Sequence, residues 1–302
     1  MPFLGQAQQE VMYTQFMFNK LALNPGYAGS FESPELTAVY RNQWAGIEGA
    51  PKTIILSYNQ PILNNRVGIG SNLSRVSIGI TKLITVDIAY AYRVKFRRGQ
   101  LSVGLSPSIR HLYQDWTDPR IIAATPNDGT IPTAVESKIL ANVGFGAYYK
   151  GQNWYAGLSA PRIIENSIDF AEIGQEISRE VRHFNAMGGM TFKPSKDVGI
   201  TPQILIKYAL NAPLDADLNV SLLMKQKFYG GLTYRLGGNE NFSGESLDIM
   251  LGIQATEKLF VCVNYDIGIS RLARYSNGSF EMLARWWFNP PEGVTVVPPT
   301  PW

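Results

Sequence analysis

The feature that most constrains this chain is a two-residue alternation of apolar with polar or small side chains, repeated in short segments along most of its length. In residues 247–254, for example, every odd-numbered position is leucine or isoleucine, whereas the even-numbered positions include Asp248, Gly252 and Gln254. A β-strand sends successive side chains to opposite faces. Each segment therefore predicts a strand with one apolar face and one polar face.

The connections between these segments form a second pattern, because short and long connections alternate. Outer-membrane barrels have short periplasmic turns, longer external loops and an even number of strands. We therefore predict an all-β protein, a transmembrane antiparallel β-barrel of about fourteen strands whose polar faces point inward. The short polar turns are residues 63–65, 97–100, 150–152, 194–197, 225–227 and 256–258. The predicted strands lie near residues 35–44, 52–61, 66–76, 83–96, 101–113, 137–150, 153–160, 181–193, 198–210, 216–225, 228–236, 246–255, 259–269 and 279–288. Aromatic residues near strand ends, at residues 148–149, 154–155, 228–229 and 286–288, are predicted to form girdles at the membrane surface.

A soluble β-sheet protein rich in aromatic residues is the alternative, but such a protein has no reason to segregate its loops by length. Charged residues make up 17% of this chain, whereas soluble proteins usually carry about 25%. No stretch approaches the roughly 20 apolar residues of a membrane helix. The formal charge of +3 comes without a basic stripe, which argues against a nucleic-acid partner.

The sequence divides into four predicted parts. Residues 1–7 resemble the end of a secretory signal peptide, because small residues precede a polar stretch. Residues 8–34 are predicted to form an N-terminal plug segment, residues 35–288 the barrel, and residues 289–302 a Pro-rich tail. With an even number of strands, both termini are predicted to be periplasmic in a protein of the outer membrane.

Within the plug segment, residues 10–23 place apolar side chains at near-helical spacing, and Asn24-Pro25-Gly26 follows as a stop signal. A short helix or coil here is predicted to fill the lumen or to cap its periplasmic mouth, because side chains alone do not fill a barrel of about fourteen strands. An interfacial helix is the alternative. The Pro-rich tail cannot join a sheet and is either a docking peptide or a disordered end.

Residue types that carry catalysis or bind metals are scarce. The chain has two histidines, His111 and His183, and one cysteine, Cys262. A Ser/His/Asn arrangement that uses His183 is the catalytic alternative, but no nucleophile-elbow motif accompanies it. No cluster has the spacing of metal ligands. We therefore predict that the protein is not an enzyme and has no catalytic, cofactor-binding or metal-binding residues.

Charged residues are predicted on the inward faces of several strands. They can pair with one another and with the plug segment, or they can line water in an open porin. The plug segment favours a filled lumen. The inward charges are Arg41, Asp87, Arg93, Arg110, Lys207, Arg235, Asp266, Glu281 and Arg285.

Two long connections, residues 114–136 and 161–180, are unusually apolar for exposed loops. This density predicts contact with a protein partner or packing over the barrel mouth. The predicted partner-binding residues are Trp116, Arg120, Ile121, Ile122, Ile163, Ile164, Ile168 and Phe170.

Most of the predicted barrel resembles a known family, and the resemblance is most specific over the first hundred or so residues. Residues 15–19 (QFMFN), 23–29 (LNPGYAG), 41–44 (RNQW) and 49–53 (GAPKT) are similar to the opening of the PorP/SprF family. Segments 67–70, 89–92 and 101–105 continue the resemblance. The motif residues in and beside the plug segment are Phe16, Asn19, Asn24, Pro25, Gly26, Tyr27, Gly29, Arg41 and Trp44.

The resemblance implies a Bacteroidetes outer-membrane protein of the type IX secretion system, with a barrel, an N-terminal lumenal segment and no catalytic residue set. It implies a role in exporting a large surface adhesin, or in anchoring a gliding-motility adhesin through the adhesin's C-terminal domain. The implied partners are that adhesin, other type IX secretion components on the periplasmic side, and outer-membrane lipid. Apart from the resemblance, the residues leave open a passive or hydrophobic-ligand transporter or porin, and an outer-membrane hydrolase.

Overall fold

In a computed structural model of the protein, residues 13–31, 33–121, 134–168, 179–210, 212–237 and 244–289 are described. The described residues form a sheet of 15 strands and three short 3₁₀ helices, Lys20–Ala22, Pro25–Tyr27 and Arg271–Arg274. The strands are β1 (Glu35–Asn42), β2 (Lys52–Ile62), β3 (Val67–Ile78), β4 (Thr81–Phe96), β5 (Gly99–Asp115), β6 (Val135–Gly151), β7 (Trp154–Ala160), β8 (His183–Met190), β9 (Phe192–Ser195), β10 (Val198–Ala209), β11 (Asp215–Met224), β12 (Phe228–Leu236), β13 (Gly244–Gln254), β14 (Leu259–Gly268) and β15 (Ser279–Trp287).

The strands form one antiparallel sheet that closes on itself. Strand β1 pairs with β2 on one side and with β15 on the other, which joins the two ends of the chain of strands. Strands β8 and β9 are two parts of one position in the wall, because both pair with β10 on either side of Thr191. The described strands therefore occupy 14 positions in a closed barrel. The predicted antiparallel barrel and its number of strands are confirmed.

The two faces of the wall differ in chemistry, as the alternation predicts. In β14, Val263 is 42% exposed and its neighbour Asn264 is 1% exposed. In β4, every second residue from Ile84 to Tyr92 is an exposed aliphatic or tyrosine side chain. A continuous apolar outer surface of this kind requires lipid or detergent as its solvent.

Pairs of adjacent aromatic residues near the strand ends are divided between the two faces. Tyr149 and Trp154 stack on the outside, with ring centroids 4.9 Å apart. Tyr148 and Tyr155 are buried inside, with ring centroids 5.7 Å apart. The interpretation of these pairs as girdles at the membrane surface is therefore wrong for one member of each pair, because neighbours in a strand must face opposite ways. The inward members are Tyr148, Tyr155, Tyr229 and Trp287.

The two ends of the barrel differ in their connections. At one end, which we call the short-turn end, each connection spans only a few residues. Asn64 and Asn65 in one of these turns have φ angles of 53° and 62°, the left-handed values that tight hairpins require. At the other end, which we call the long-loop end, the β5–β6 and β7–β8 connections are long, although residues 79–80 join β3 to β4 directly.

Among the residues that the structure describes, no helix combines the length and the apolar character needed to cross a membrane.

Candidate functional site

Residues 13–31, which we call the N-terminal segment, lie in the interior of the barrel. Two 3₁₀ turns, Lys20–Ala22 and Pro25–Tyr27, replace the near-helical run expected there. Phe16 and Phe18 are fully buried and belong to the main hydrophobic cluster. The Phe18 ring meets inward-facing rings of β12 and β14, with its centroid 4.9 Å from those of Tyr229 and Phe260. The core of this protein is thus the contact between the segment and the inner wall.

The inner wall carries glycine where the backbone of the segment comes closest. A Cβ atom at Gly68 would collide with the Ala28 carbonyl group, and one at Gly104 would collide with the Pro25 carbonyl group. Since these contacts are with backbone atoms, no side-chain movement relieves them. A Cβ atom at Gly70, Gly146 or Gly157 would instead meet side-chain atoms of Leu21 or Asn24. We call these five inward glycines, Gly68, Gly70, Gly104, Gly146 and Gly157, the glycine patch.

Asn24 joins the segment to the wall at the same place. Its Oδ1 atom accepts a hydrogen bond from the Gly26 backbone at 2.8 Å, which caps the second 3₁₀ turn. Its Nδ2 atom donates to the carbonyl oxygens of Ala147 at 3.0 Å and Leu158 at 3.2 Å. One amide thereby orders the turn and bonds it to two strands, so an alanine here would remove both functions.

Gly29 fixes the exit of the segment towards β1. Its φ of 67° is a left-handed value that glycine adopts without strain. Its N–H donates to Asn59 Oδ1 at 2.5 Å, and its carbonyl accepts from the Arg93 guanidinium. The family motif residues from Phe16 to Gly29 therefore act together as the part of the chain that is fitted into the barrel.

The other end of the segment is held by charged side chains. The N–H groups of Thr14 and Gln15 each donate to the Glu281 carboxylate at 2.9 Å. Arg41 lies directly opposite Glu281 in the β1–β15 ladder, and it bridges Glu281 at 3.0 Å and Asp266 at 2.5 Å. The hydroxyl of Thr14 accepts from Arg41 at 3.1 Å.

These contacts belong to a larger buried charge network. Arg235 pairs with Asp217 at 2.7 Å, and its guanidinium also donates to the Thr14 hydroxyl at 3.1 Å. Lys207 continues the network to Asp217 at 3.0 Å. Buried charges of this kind are tolerated because each has partners, and removing one partner is costly. The members of the charge network are Arg41, Lys207, Arg235, Asp215, Asp217, Asp248, Asp266 and Glu281.

The segment runs through the barrel from end to end. Thr14 lies beside Glu281, the third residue of β15 counted from the long-loop end. Gly29 lies beside Gly68, the second residue of β3 counted from the short-turn end. The charge network thus contacts the segment near the long-loop end, whereas the glycine patch and Arg93 contact it towards the short-turn end.

The first group of predicted partner-binding residues lies in the β5–β6 loop. Trp116 and Ile121 are half-buried, whereas Arg120 is exposed. The Arg120 guanidinium pairs with Asp118 at 2.6 Å. Hydrogen bonds from the Arg120 side chain and backbone lower the pKa of the Asp118 carboxyl to about 2, so this carboxyl is charged at neutral pH. Ile122 lies outside the described residues.

The second group lies in the β7–β8 loop. Ile163 and Ile164 are exposed and Ile168 is half-buried. The Asn142 side chain accepts hydrogen bonds from the backbone N–H groups of Ile163 and Ile164, at 3.0 Å each. It thereby continues the wall where β7 has ended. Phe170 lies outside the described residues.

An ion pair that the sequence did not suggest holds the C-terminal end of the β7–β8 loop in place. Glu180 is buried and pairs with Arg110, and it accepts a hydrogen bond from Asn166 at 2.7 Å. The two groups of predicted partner-binding residues therefore both lie at the long-loop end, on separately anchored loops.

Two further residues singled out in the sequence have distinct positions. Trp44 follows β1 at the long-loop end with a φ of 51°, and its N–H donates to Ser279 Oγ at 3.2 Å. His183 is buried at the start of β8, and its Nδ1 atom bonds to the Val181 carbonyl at 2.8 Å. The other ring nitrogen of His183, Nε2, has no hydrogen-bond partner among the described residues. The geometry therefore gives no support to a Ser/His/Asn triad.

Sequence reasoning missed the glycine patch and the role of Glu281 in holding the segment. The signal for the patch was present, because Gly68 and Gly70 occupy the inward positions of an alternating strand where side chains are otherwise expected. No comparable signal pointed to Glu281. Its partner Thr14 is 267 residues away in the chain.

Solved outer-membrane proteins share this architecture. The chain is similar to the monoaromatic hydrocarbon channel CymD, with a TM-score of 0.53 and 11% identity over 92% of this chain and 93% of that one. It is also similar to the toluene transporter TbuX of Ralstonia pickettii, with a TM-score of 0.54 and 7% identity over 92% and 94% of the two chains. For Omp33 of Acinetobacter baumannii the TM-score is 0.50, with 8% identity over 86% and 100%. At such identities the likeness shows the fold alone, that of an outer-membrane barrel.

Sequence comparison gives a more specific result. No curated protein matches the chain. Residues 5–286 match the family described as type IX secretion system membrane protein PorP/SprF. The chain therefore belongs to the PorP/SprF family of outer-membrane proteins.

Proposed function

We propose that this protein is a non-enzymatic barrel of the type IX secretion and gliding-motility apparatus, which anchors or helps to export a large surface adhesin through that adhesin's C-terminal domain. Family membership supports the link to secretion. The observation that carries the proposal is the occupied interior, because a barrel filled from Thr14 to Gly29 is better suited to holding a partner than to conducting solutes.

The N-terminal segment is the plug in this proposal. It is held by the charge network at one end and by the glycine patch towards the other. We assign residues 8–34 to the plug, residues 35–288 to the barrel and residues 289–302 to a tail. Residues 1–7 are assigned to a signal-peptide remnant, but residues 1–12 lie outside the described part of the chain.

The orientation follows from the loops. In bacterial barrels short turns face the periplasm and long loops face outward, so the predicted partner-binding loops are external here. Strand β15 ends at the short-turn end with Trp287, so the C-terminal tail starts on the periplasmic side, where other type IX secretion components are within reach. Labelling of a cysteine introduced at the N-terminus, with a membrane-impermeant reagent on intact cells, tests the predicted periplasmic N-terminus. The segment runs from Gly29 towards the long-loop end at Thr14, and labelling from outside would contradict a periplasmic N-terminus.

A passive or hydrophobic-ligand transporter is the second candidate. It is favoured by the fold, which is shared with proteins named as a hydrocarbon channel and a toluene transporter. Such a function needs a continuous lumen or a lateral gap in the wall. The occupied interior argues against it unless the segment leaves its position.

Affinity purification from native membranes tests the first candidate. After mild cross-linking, we expect a large surface protein to be recovered with the barrel. The double variant Ile163→Asp/Ile164→Asp should lose that protein, because it places charges on the exposed apolar part of the β7–β8 loop. Ile269→Asp is the matched control, since Ile269 is an exposed isoleucine in another long loop. Recovery of the barrel alone from membranes that contain surface adhesins would contradict the proposal.

Deletion of residues 10–27 separates the two candidates. The barrel should still assemble, because its strands pair without the segment. We expect its conductance in planar bilayers to increase, and its recovery of the surface protein to be lost. An intact barrel whose conductance and partner recovery both stay at the level of the unaltered protein would exclude the plug.

A further inference from the structure

The short-turn end of the barrel carries an excess of positive charge. The described residues include all six of its connections, which are residues 63–66, 97–98, 152–153, 196–197, 225–227 and 255–258. Two acidic residues lie in them, Asp197 and Glu257. The seven basic residues in them, all exposed, form what we call the basic ring, and they are Arg66, Arg97, Arg98, Lys196, Lys225, Lys227 and Lys258. The formal charge of the whole chain is only +3, so these few connections hold more net positive charge than the chain does.

The basic ring extends around the barrel and is not confined to one side. The β4–β5 turn holds Arg97 and Arg98, and the β11–β12 turn holds Lys225 and Lys227. Because the strands follow one another around a closed wall of 14 positions, these two turns lie almost opposite each other. Charge that is spread around the circumference fits a partner that surrounds the barrel.

The basic residues lie directly beside side chains of the apolar outer surface. Arg97 follows Phe96, which is 56% exposed, and Lys227 precedes Phe228, which is 46% exposed. The Lys227 Nζ atom lies 5.8 Å from the centroid of the Phe228 ring. Connections this short cannot carry their charges far from the apolar wall. The ammonium and guanidinium groups therefore lie at the level of the lipid headgroups.

The basic ring forms no ion pair with the described part of the chain. The inward charges differ in this respect, as in the pair of Arg41 with Glu281 at 3.0 Å. Two acidic residues in the same connections do not neutralise seven basic ones. The field at this end of the barrel therefore attracts negatively charged groups from outside the chain.

We propose that the basic ring binds the headgroups of anionic phospholipids, such as phosphatidylglycerol. Lysine and arginine donate charge-assisted hydrogen bonds to phosphate oxygens, and basic residues beside a membrane are attracted to anionic lipid. An acidic protein matches the ring less well, because the charge is spread around the circumference at the edge of the lipid-facing wall. In the orientation proposed above these lipids belong to the periplasmic leaflet, whereas the preference for them does not depend on that orientation.

Spin-labelled lipids test this preference directly. The purified protein is reconstituted into phosphatidylcholine vesicles with a trace of spin-labelled phosphatidylglycerol or spin-labelled phosphatidylcholine. Electron spin resonance then measures the fraction of label that is immobilised at the protein surface. We expect phosphatidylglycerol to associate roughly two- to fivefold more strongly than phosphatidylcholine, the range of an exposed charge pair, and added salt to reduce the difference. Equal association of the two lipids at low salt would overturn the proposal.

Two double variants test whether the basic ring is responsible. Arg97→Gln/Arg98→Gln and Lys225→Gln/Lys227→Gln each remove two exposed charges, from nearly opposite sides of the barrel. Each should lower the preference for phosphatidylglycerol, and heat-modifiable mobility on gels confirms that each variant is folded. If a folded variant keeps the full preference, the ring does not act as a whole and the proposal is wrong.

The matched control is Arg182→Gln/Arg274→Gln, which removes two exposed charges at the long-loop end and should keep the full preference. An equal loss in this control would show that overall charge, and not the basic ring, attracts the lipid. Loss of a periplasmic protein from purifications of the turn variants, with an unchanged lipid preference in vesicles, would assign the ring to that protein and contradict the proposal. None of the vesicle measurements requires a surface adhesin, so their failure leaves the proposed function standing.

Discussion

At the scale of single residues, glycines at inward positions shape the interior of the barrel as much as large side chains do, because they leave room for the N-terminal segment. Gly104 and Gly230 are both strand glycines, yet a Cβ atom at Gly104 would strike the Pro25 backbone and one at Gly230 would meet nothing within 4 Å. Gly104 thus leaves room for the segment, whereas Gly230 has no such task. The same residue type has different consequences on the two faces of one wall.

This difference gives the first prediction. Gly104→Val should displace the turn at Pro25 and raise the ion conductance of the purified barrel in planar bilayers, because the added side chain collides with backbone atoms and no side-chain rotation relieves the collision. Gly230→Val is the matched control and should conduct like the unaltered protein. Equal conductance of the two variants, with both correctly folded, would show that the segment does not limit the passage of ions.

The second prediction concerns Glu281, which holds two backbone N–H groups and pairs with Arg41. Glu281→Gln should lower the free energy of unfolding in lipid vesicles by about 3 kcal/mol, because it leaves the buried Arg41 short of one partner. Urea titration monitored by tryptophan fluorescence measures this loss. The double variant Arg41→Met/Glu281→Met should lose less than the sum of the two single methionine variants, since it removes both charges. Strict additivity would contradict the pairing.

At the scale of elements, the alternation was sufficient to predict the strands. The predicted and observed strand ends mostly agree within a few residues, and the resemblance to the PorP/SprF family is confirmed. Periodicity reports which face a residue occupies, but not what lies opposite that face. The contacts of Thr14 with Asp248 and Glu281 join residues more than two hundred positions apart. The charges could therefore be assigned to the interior from the sequence, while their partners could not.

The aromatic pairs show the same limit. The position of Tyr148 and Tyr229 near strand ends predicts that they belong to membrane girdles, yet both are buried inside. Strict application of the two-residue period would have placed them there. Both side chains pack against the N-terminal segment; for example, the ring centroids of Tyr148 and Tyr27 are 5.2 Å apart. The sequence near these tyrosines contains no pattern that predicts this packing.

The third prediction tests the orientation of one strand. Val263 faces outward in the middle of β14 and pairs with Leu251 and Met282, which are also exposed. Val263→Arg should destabilise the membrane-inserted barrel by about 2–4 kcal/mol, the cost of a lipid-facing arginine near the midplane. Folding yield into lipid vesicles, read from heat-modifiable mobility on gels, measures the effect. Val263→Leu is the control, and a normal yield for the arginine variant would mean that the strand is wrongly oriented.

At the scale of the whole molecule, the protein resembles a globular domain turned inside out. Its polar and charged side chains are gathered inside around one segment, and its aliphatic side chains cover the outside. The fourth prediction follows. Removal of detergent from the purified protein should cause precipitation, measured by size-exclusion chromatography and light scattering, because the outer apolar surface then faces water. A folded, monomeric protein in plain buffer would be incompatible with a transmembrane barrel.

The closure of β1 against β15 also has a consequence for biogenesis. The residues that enter the barrel first in sequence, Thr14 and Gln15, find their carboxylate on the strand that is made last. Bringing such distant positions together carries an entropic cost, and the contacts with Glu281 that offset this cost form only once β15 is in place. We therefore expect β1 and β15 to pair only after the N-terminal segment has entered the unfinished barrel. With that order of events, a factor that assists folding would hold β1 and β15 apart until the segment is enclosed.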